Sequence, residues 1–174
     1  MWKRALKKVS TNYTDLQQIV SFVKLPKNLA KLGQMNFEGS YTGFFQEFVA
    51  YGQLDTKLGR INSDLQLNLR KGKSQAAYKG GVRLNNFDIG AFINNDDVGR
   101  ISLQTDVEGT GLTFETLDAE LKDAKIDSFT FKNYQYEDIA IDGLFKQKKF
   151  DGDIVSKDTN MYVSIRGIVD LSKE

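Results

Sequence analysis

The chain has 174 residues, a formal net charge of +1, 40% hydrophobic and 27% charged residues. That is the balance of a folded protein long enough to bury a substantial core. It contains no Cys and no His, which removes disulfides, Ser-His-Asp and Cys-His nucleophilic designs and the usual zinc sites. The near-zero charge supplies no global field for nucleic acid or an anionic membrane.

The basic cluster WKRALKK at Trp2–Lys8 reads as a solvated strand or entry segment rather than a lipid-headgroup contact. In TNYTDLQQIVSFVKLP, Tyr13, Leu16, Ile19, Val20 and Val23 recur at helical spacing. Thr14 with Gln17 has the capping-box form, Asp15 suits a first turn, and Pro26 marks a stop. A short N-terminal amphipathic helix is therefore expected over about residues 14–24.

From about residue 34 to 172 period-two alternation takes over. It runs through Asn36–Tyr41, Phe45–Leu54, Gly59–Leu69, Ser74–Leu84, Arg100–Val107 and Leu112–Leu121. It continues through Lys125–Phe131, Ile139–Phe145, Phe150–Val155 and Met161–Leu171. In RINSDLQLNL, Ile61, Leu65, Leu67 and Leu69 oppose Asn62, Asp64, Gln66 and Asn68. A phase shift near Asp123–Asp127 predicts a turn or bulge. The sequences LRKGKS, NNDDVG, GTG and DGD read as turns, and NNFDIGAFINN as a short helical turn or loop. No low-complexity tract divides the chain, so residues 1–174 form one expected domain. One wet face per strand points to a mostly β fold of long antiparallel strands rather than a buried parallel sheet.

The acidic groups Asp96–Asp97 and Asp151, Asp153 and Asp158 lack calcium-loop spacing and read as turns. Gly109–Gly111 lacks the third Gly and the following helix of a dinucleotide loop. The sequence singles out no carboxylate pair, so no catalytic residue, metal or cofactor is assigned and an enzyme is not expected. Aromatics are abundant, with twelve Phe, seven Tyr and one Trp, but acids balance the bases around them, which argues against single-stranded nucleic acid. The sharper expectation is an apolar groove for a lipid-like ligand. Its candidate lining is Ile61, Leu65, Leu67, Leu69, Ile101, Leu103, Val107, Leu121, Phe129, Phe131, Ile139, Ile141, Met161, Val163, Ile165, Val169 and Leu171.

The stretch KNYQYEDIAIDGLFKQKKFDGDIVSKDTNMYVSIRGIVDL resembles the AsmA-like/TamB family of envelope proteins, in its Bacteroidetes form. The resemblance rests on Tyr134, Tyr136, Ile139 and Gly143, then Phe150 and Gly152, then Asp158, Asn160, Gly167, Val169 and Asp170. An upstream block is similar through Gly39, Tyr41, Gly43, Phe48, Ala50, Gly52, Leu54, Thr56, Gly59, Ile61 and Asp64. Thr159 stands where the family often has Pro.

The resemblance implies an internal segment of a longer periplasmic protein anchored elsewhere in the inner membrane. It implies a folded-over sheet, a β-taco or half-open groove, that shields phospholipid or another acyl lipid between membranes. It also implies an Omp85-type outer-membrane barrel as a partner, with strand-edge scaffolding of outer-membrane proteins as the alternative role. Cut edges would make the isolated segment prone to edge-strand dimers.

Overall fold

The computed structural model describes residues 3–19, 21, 24–44, 46–113, 115–159, 161–170 and 172, with the backbone alone for residues 3–7. Ten strands follow one another in a single antiparallel sheet whose spatial order is the sequence order. They are β1 (Lys3–Thr11), β2 (Met35–Phe44), β3 (Glu47–Asp55), β4 (Arg60–Asn68) and β5 (Ala77–Asp88), then β6 (Val98–Thr110), β7 (Asp118–Phe131), β8 (Tyr134–Lys146), β9 (Lys149–Asp158) and β10 (Met161–Asp170). Among the described residues the sheet is open, with β1 and β10 each paired on one side only.

Antiparallel alternation puts cross-strand partners on the same face. One apolar row therefore crosses every strand: Val9, Phe37, Leu54, Ile61, Leu84, Leu103, Ile126, Ile139, Ser156 and Val163. Only Ser156 is polar. Nine strand spacings of roughly 4.8 Å make this row about 43 Å long.

Helical pieces lie over its middle. α1 (Tyr13–Ile19), a 3₁₀ helix (Lys27–Leu32) and α2 (Ile89–Ile93) bring Leu16, Leu29, Leu32, Ile89 and Phe92 onto the sheet. There they pack with Met35, Leu58, Phe87, Ile101 and Ile126. A second cluster joins Leu25, Leu69 and Ala76 to Tyr13, Phe48, Leu67 and Leu112.

The ends of α1 differ from the sequence expectation. Asn12, rather than Thr14, caps the helix: its Oδ1 accepts from Asp15 N at 3.0 Å, and its Nδ2 donates to Asp15 Oδ2 at 2.8 Å. Gln17 is used elsewhere, accepting from Leu25 N at 2.8 Å. Val20 and Val23 lie outside the described residues, as do Trp2, Phe45, Asn160 and Leu171. Pro26 opens the 3₁₀ helix. The sheet also starts earlier than residue 34, because β1 pairs with β2 from Lys3 onward.

Two turn assignments need correction. DGD is interior to β9, where Gly152 pairs with Gly143 on one side and Gly167 on the other. The real turn is Gln147–Lys148, with both φ angles positive at 51° and 61°, the two-residue hairpin geometry that matches strand twist. The segments Leu112–Leu121 and Lys125–Phe131 do not form two strands. Their strand residues belong to the single strand β7, which carries the expected phase shift as bulges: Asp123 has φ of 50°, and the register slips between Leu121 and Ala124 and again opposite Ser102–Leu103. NNFDIGAFINN does contain a short helix, α2, capped by Asp88, whose side chain accepts from Ala91 N. NNDDVG turns through Asn94, φ 61°.

Candidate functional site

The described strand positions of the sequence-derived groove share one face. The register aligns Ile61, Leu103, Ile139 and Val163 in the long row. A parallel row carries Leu65, Gly80, Val107, Leu121, Gly143, Gly152 and Gly167. A third carries Phe48, Leu67, Tyr78, Gly109, Ala119, Phe145, Phe150 and Val169. Ile141 and Ile165 flank Ile154 in a shorter row from Ala124.

The helices divide these residues into covered and uncovered sets. Ile61, Leu67, Leu69, Ile101, Leu103, Phe129, Ile139 and Ile141 pack into the two clusters under α1, the 3₁₀ helix and α2. Leu65, Val107, Leu121, Phe131, Met161, Val163, Ile165 and Val169 belong to neither cluster. Neither cluster includes a residue of β9 or β10, where Ser156 is 1% exposed, Ile165 48% and Val169 40%.

The β8–β9 end is braced by polar contacts. Asp158 closes β9 with a buried carboxylate that accepts from the Tyr134 hydroxyl at 3.0 Å and from Glu137 N at 2.9 Å. Tyr134 and Tyr136 meet edge to face. The residues singled out by resemblance thus include a structural latch, and Asp158 ends a strand rather than forming a turn. Closer to the loop that precedes β5, burial, and secondly the Asp118 carboxylate, push the Tyr78 phenol up to about 12. Burial likewise raises Tyr41, whose ring stacks on Phe48 at 4.9 Å.

A concavity lies on the opposite, polar face. A hollow of about 830 Å³ spans β2 to β7, and none of the sequence-derived groove residues lines it. Charged side chains stand around it: Glu38, Asp64, Asp106 and Asp123 against Arg83 and Lys125. Gln53, Asn62 and Gln104 add amides, and Tyr51 an aromatic ring. Sequence reasoning missed it because the polar positions of alternating strands read as a solvated face. The signal that was available is Gly81 at a polar-face position of β5, which leaves the floor without a side chain. Among the described residues no group of three or more carboxylates is arranged to hold a metal ion, and no helix is long and apolar enough to cross a membrane.

No protein-family model, curated protein or solved structure matches the chain.

Proposed function

We propose that this protein is a non-enzymatic, lipid-shielding β segment of the kind the AsmA-like/TamB resemblance implies, with its sheet folding over an acyl chain in a half-open groove of a longer envelope protein. The observation that carries this is the apolar row that continues past the two clusters the helices join. It runs on through β8, β9 and β10 and ends among half-exposed Ile165 and Val169. An acyl chain laid there removes apolar surface from water at about 25 cal/mol per Å², and the contact is indifferent to headgroup identity. In this reading the segment works in the periplasm, and the α1–3₁₀ unit covers the middle of the apolar row.

The test is uptake. Delipidated protein incubated with a fluorescent fatty acid or phospholipid should bind it saturably. Ile165→Glu places a carboxylate in the lane and should weaken uptake by roughly tenfold or more while the fold survives. Absence of uptake by the parent protein, or equal uptake by the variant, would overturn the lipid reading.

A second reading draws on the edges. Among the described residues β10 presents an unpaired backbone rim beside exposed Tyr162, Ile168 and Val169, which suits strand addition by an outer-membrane protein or an Omp85-type barrel. Proline substitution along β10 should abolish such pairing, whereas Ile165→Glu, whose side chain lies on the sheet face, should spare it.

A further inference from the structure

The hollow on the polar face is unlike the rest of the sheet surface. Along the strands outside it, several cross-strand charges are paired. Among the described residues eight ion pairs form, including Lys79–Glu108 at 2.8 Å, Lys146–Asp118 at 2.9 Å and Arg166–Asp153 at 2.6 Å. None of them uses Glu38, Asp64, Arg83, Asp106, Asp123 or Lys125. Of these six, Arg83 alone makes a side-chain hydrogen bond among the described residues, to the Gln104 amide. The floor is thin. Gly81 contributes no side chain, and the Asp106 carboxylate leans to within 3.3 Å of the place a Cβ there would occupy.

We infer that this hollow is a binding site for an oligosaccharide. Its size falls in the range of ordinary ligand sites, roughly 300–1,000 Å³, and its chemistry selects among ligand classes. An acyl chain here would lie among carboxylates, amides and cations, so a lipid tail gains little. Four carboxylates against two cations repel a polyanion. A sugar hydroxyl both donates and accepts, so one ligand type satisfies carboxylates, side-chain amides and the Arg83 guanidinium together. Tyr51, 61% exposed at the rim, offers a ring face for the apolar C–H side of a pyranose. The remaining competitor is a polycation, which the excess of two negative charges would also attract.

The experiment is a titration of the whole chain with maltohexaose, cellohexaose and chitohexaose, read by amide chemical shifts, with spermine and hexalysine in parallel. At least one hexasaccharide should bind saturably, with shifts centred on Gly39, Gly52, Gly81 and Asp106. Arg83→Gln and Tyr51→Ala should each weaken that binding by about tenfold, the usual consequence of losing one charge-assisted hydrogen bond or one stacked ring. Gly81→Thr, which fills the floor with a strand-favouring residue, should abolish binding without lowering the thermal midpoint. The assignment is overturned if every sugar binds more weakly than about 10 mM. It is equally overturned if the three variants bind like the parent, or if spermine or hexalysine alone produces the shifts.

Discussion

The glycines at Gly143, Gly152 and Gly167 occupy one register across β8, β9 and β10, yet their surroundings differ sharply. A Cβ placed on Gly152 would overlap the Asp142 carbonyl and lie 2.6 Å from Gly143 Cα and 2.9 Å from the Phe150 ring. One placed on Gly167 meets nothing within 4 Å, although φ there is 153°. Gly152→Ala must therefore push a backbone strand aside. Overpacking of this kind costs about 3 kcal/mol, of which reduced unfolded-state entropy returns roughly 0.5–1. The net loss of about 2–2.5 kcal/mol lowers the thermal midpoint by roughly 4–10 °C in a chain of this length. Gly167→Ala carries only the dihedral strain, about 1 kcal/mol, and the same entropic return nearly cancels it. Urea and thermal unfolding of the two variants, followed by far-ultraviolet circular dichroism, measure the difference. If Gly167→Ala destabilises as much as Gly152→Ala, the close approach of β8 and β9 is not what requires glycine in this register.

Two further outcomes follow from the contacts at the sheet's ends. Asp158→Asn keeps the shape but turns one acceptor into a donor facing either the Tyr134 hydroxyl or Glu137 N; it should cost about 1–3 kcal/mol in urea unfolding. Tyr134→Phe on top of it should cost little more, since the two share one contact. Tyr78 should give the protein an alkaline weakness. Its phenol loses the proton near 10.0 when unfolded and only at about 12 in the sheet. Below pH 10.0 the stability is fully present; between pH 10.0 and about 12 the folded state holds the extra proton and stability falls as pH rises. Tyr78→Phe should remove that slope from urea midpoints measured across the window, and an unchanged slope would assign it to other groups.

How much of this was legible in the residues varies from element to element. The odd positions of RINSDLQLNL and of Met161–Asp170 announce one apolar side, and the register places the described members on one face. Alternation is a local property of the extended chain, set by side chains pointing to opposite faces at successive residues. The bulge near Asp123 was legible for the same reason, since an extra residue breaks a period of two. The turn at Gln147–Lys148 was not: neither residue is glycine, and their left-handed conformations are imposed by the closeness of β8 and β9 rather than by local preference. DGD misled because the glycine there serves strand approach instead of reversal. Likewise Asn12 displaced Thr14 as helix cap because β1 ends at Thr11, leaving Asn12 as the first residue free to accept from Asp15 N.

By itself, then, the sequence determined a chain of long antiparallel strands with one apolar face, because burying that face is the largest favourable term open to it. Tertiary structure alone decided where the cover stops and where the sheet is hollow. The apolar cluster that α1, the 3₁₀ helix and α2 join takes in side chains as far as Ile139 and Ile141 of β8 and none of β9 or β10. The polar hollow gathers Glu38, Asp64, Arg83, Asp106, Asp123 and Lys125 from β2, β4, β5, β6 and β7. Residues so far apart in the chain share a surface only after pairing, register and bulges have been set, and no local pattern encodes that meeting.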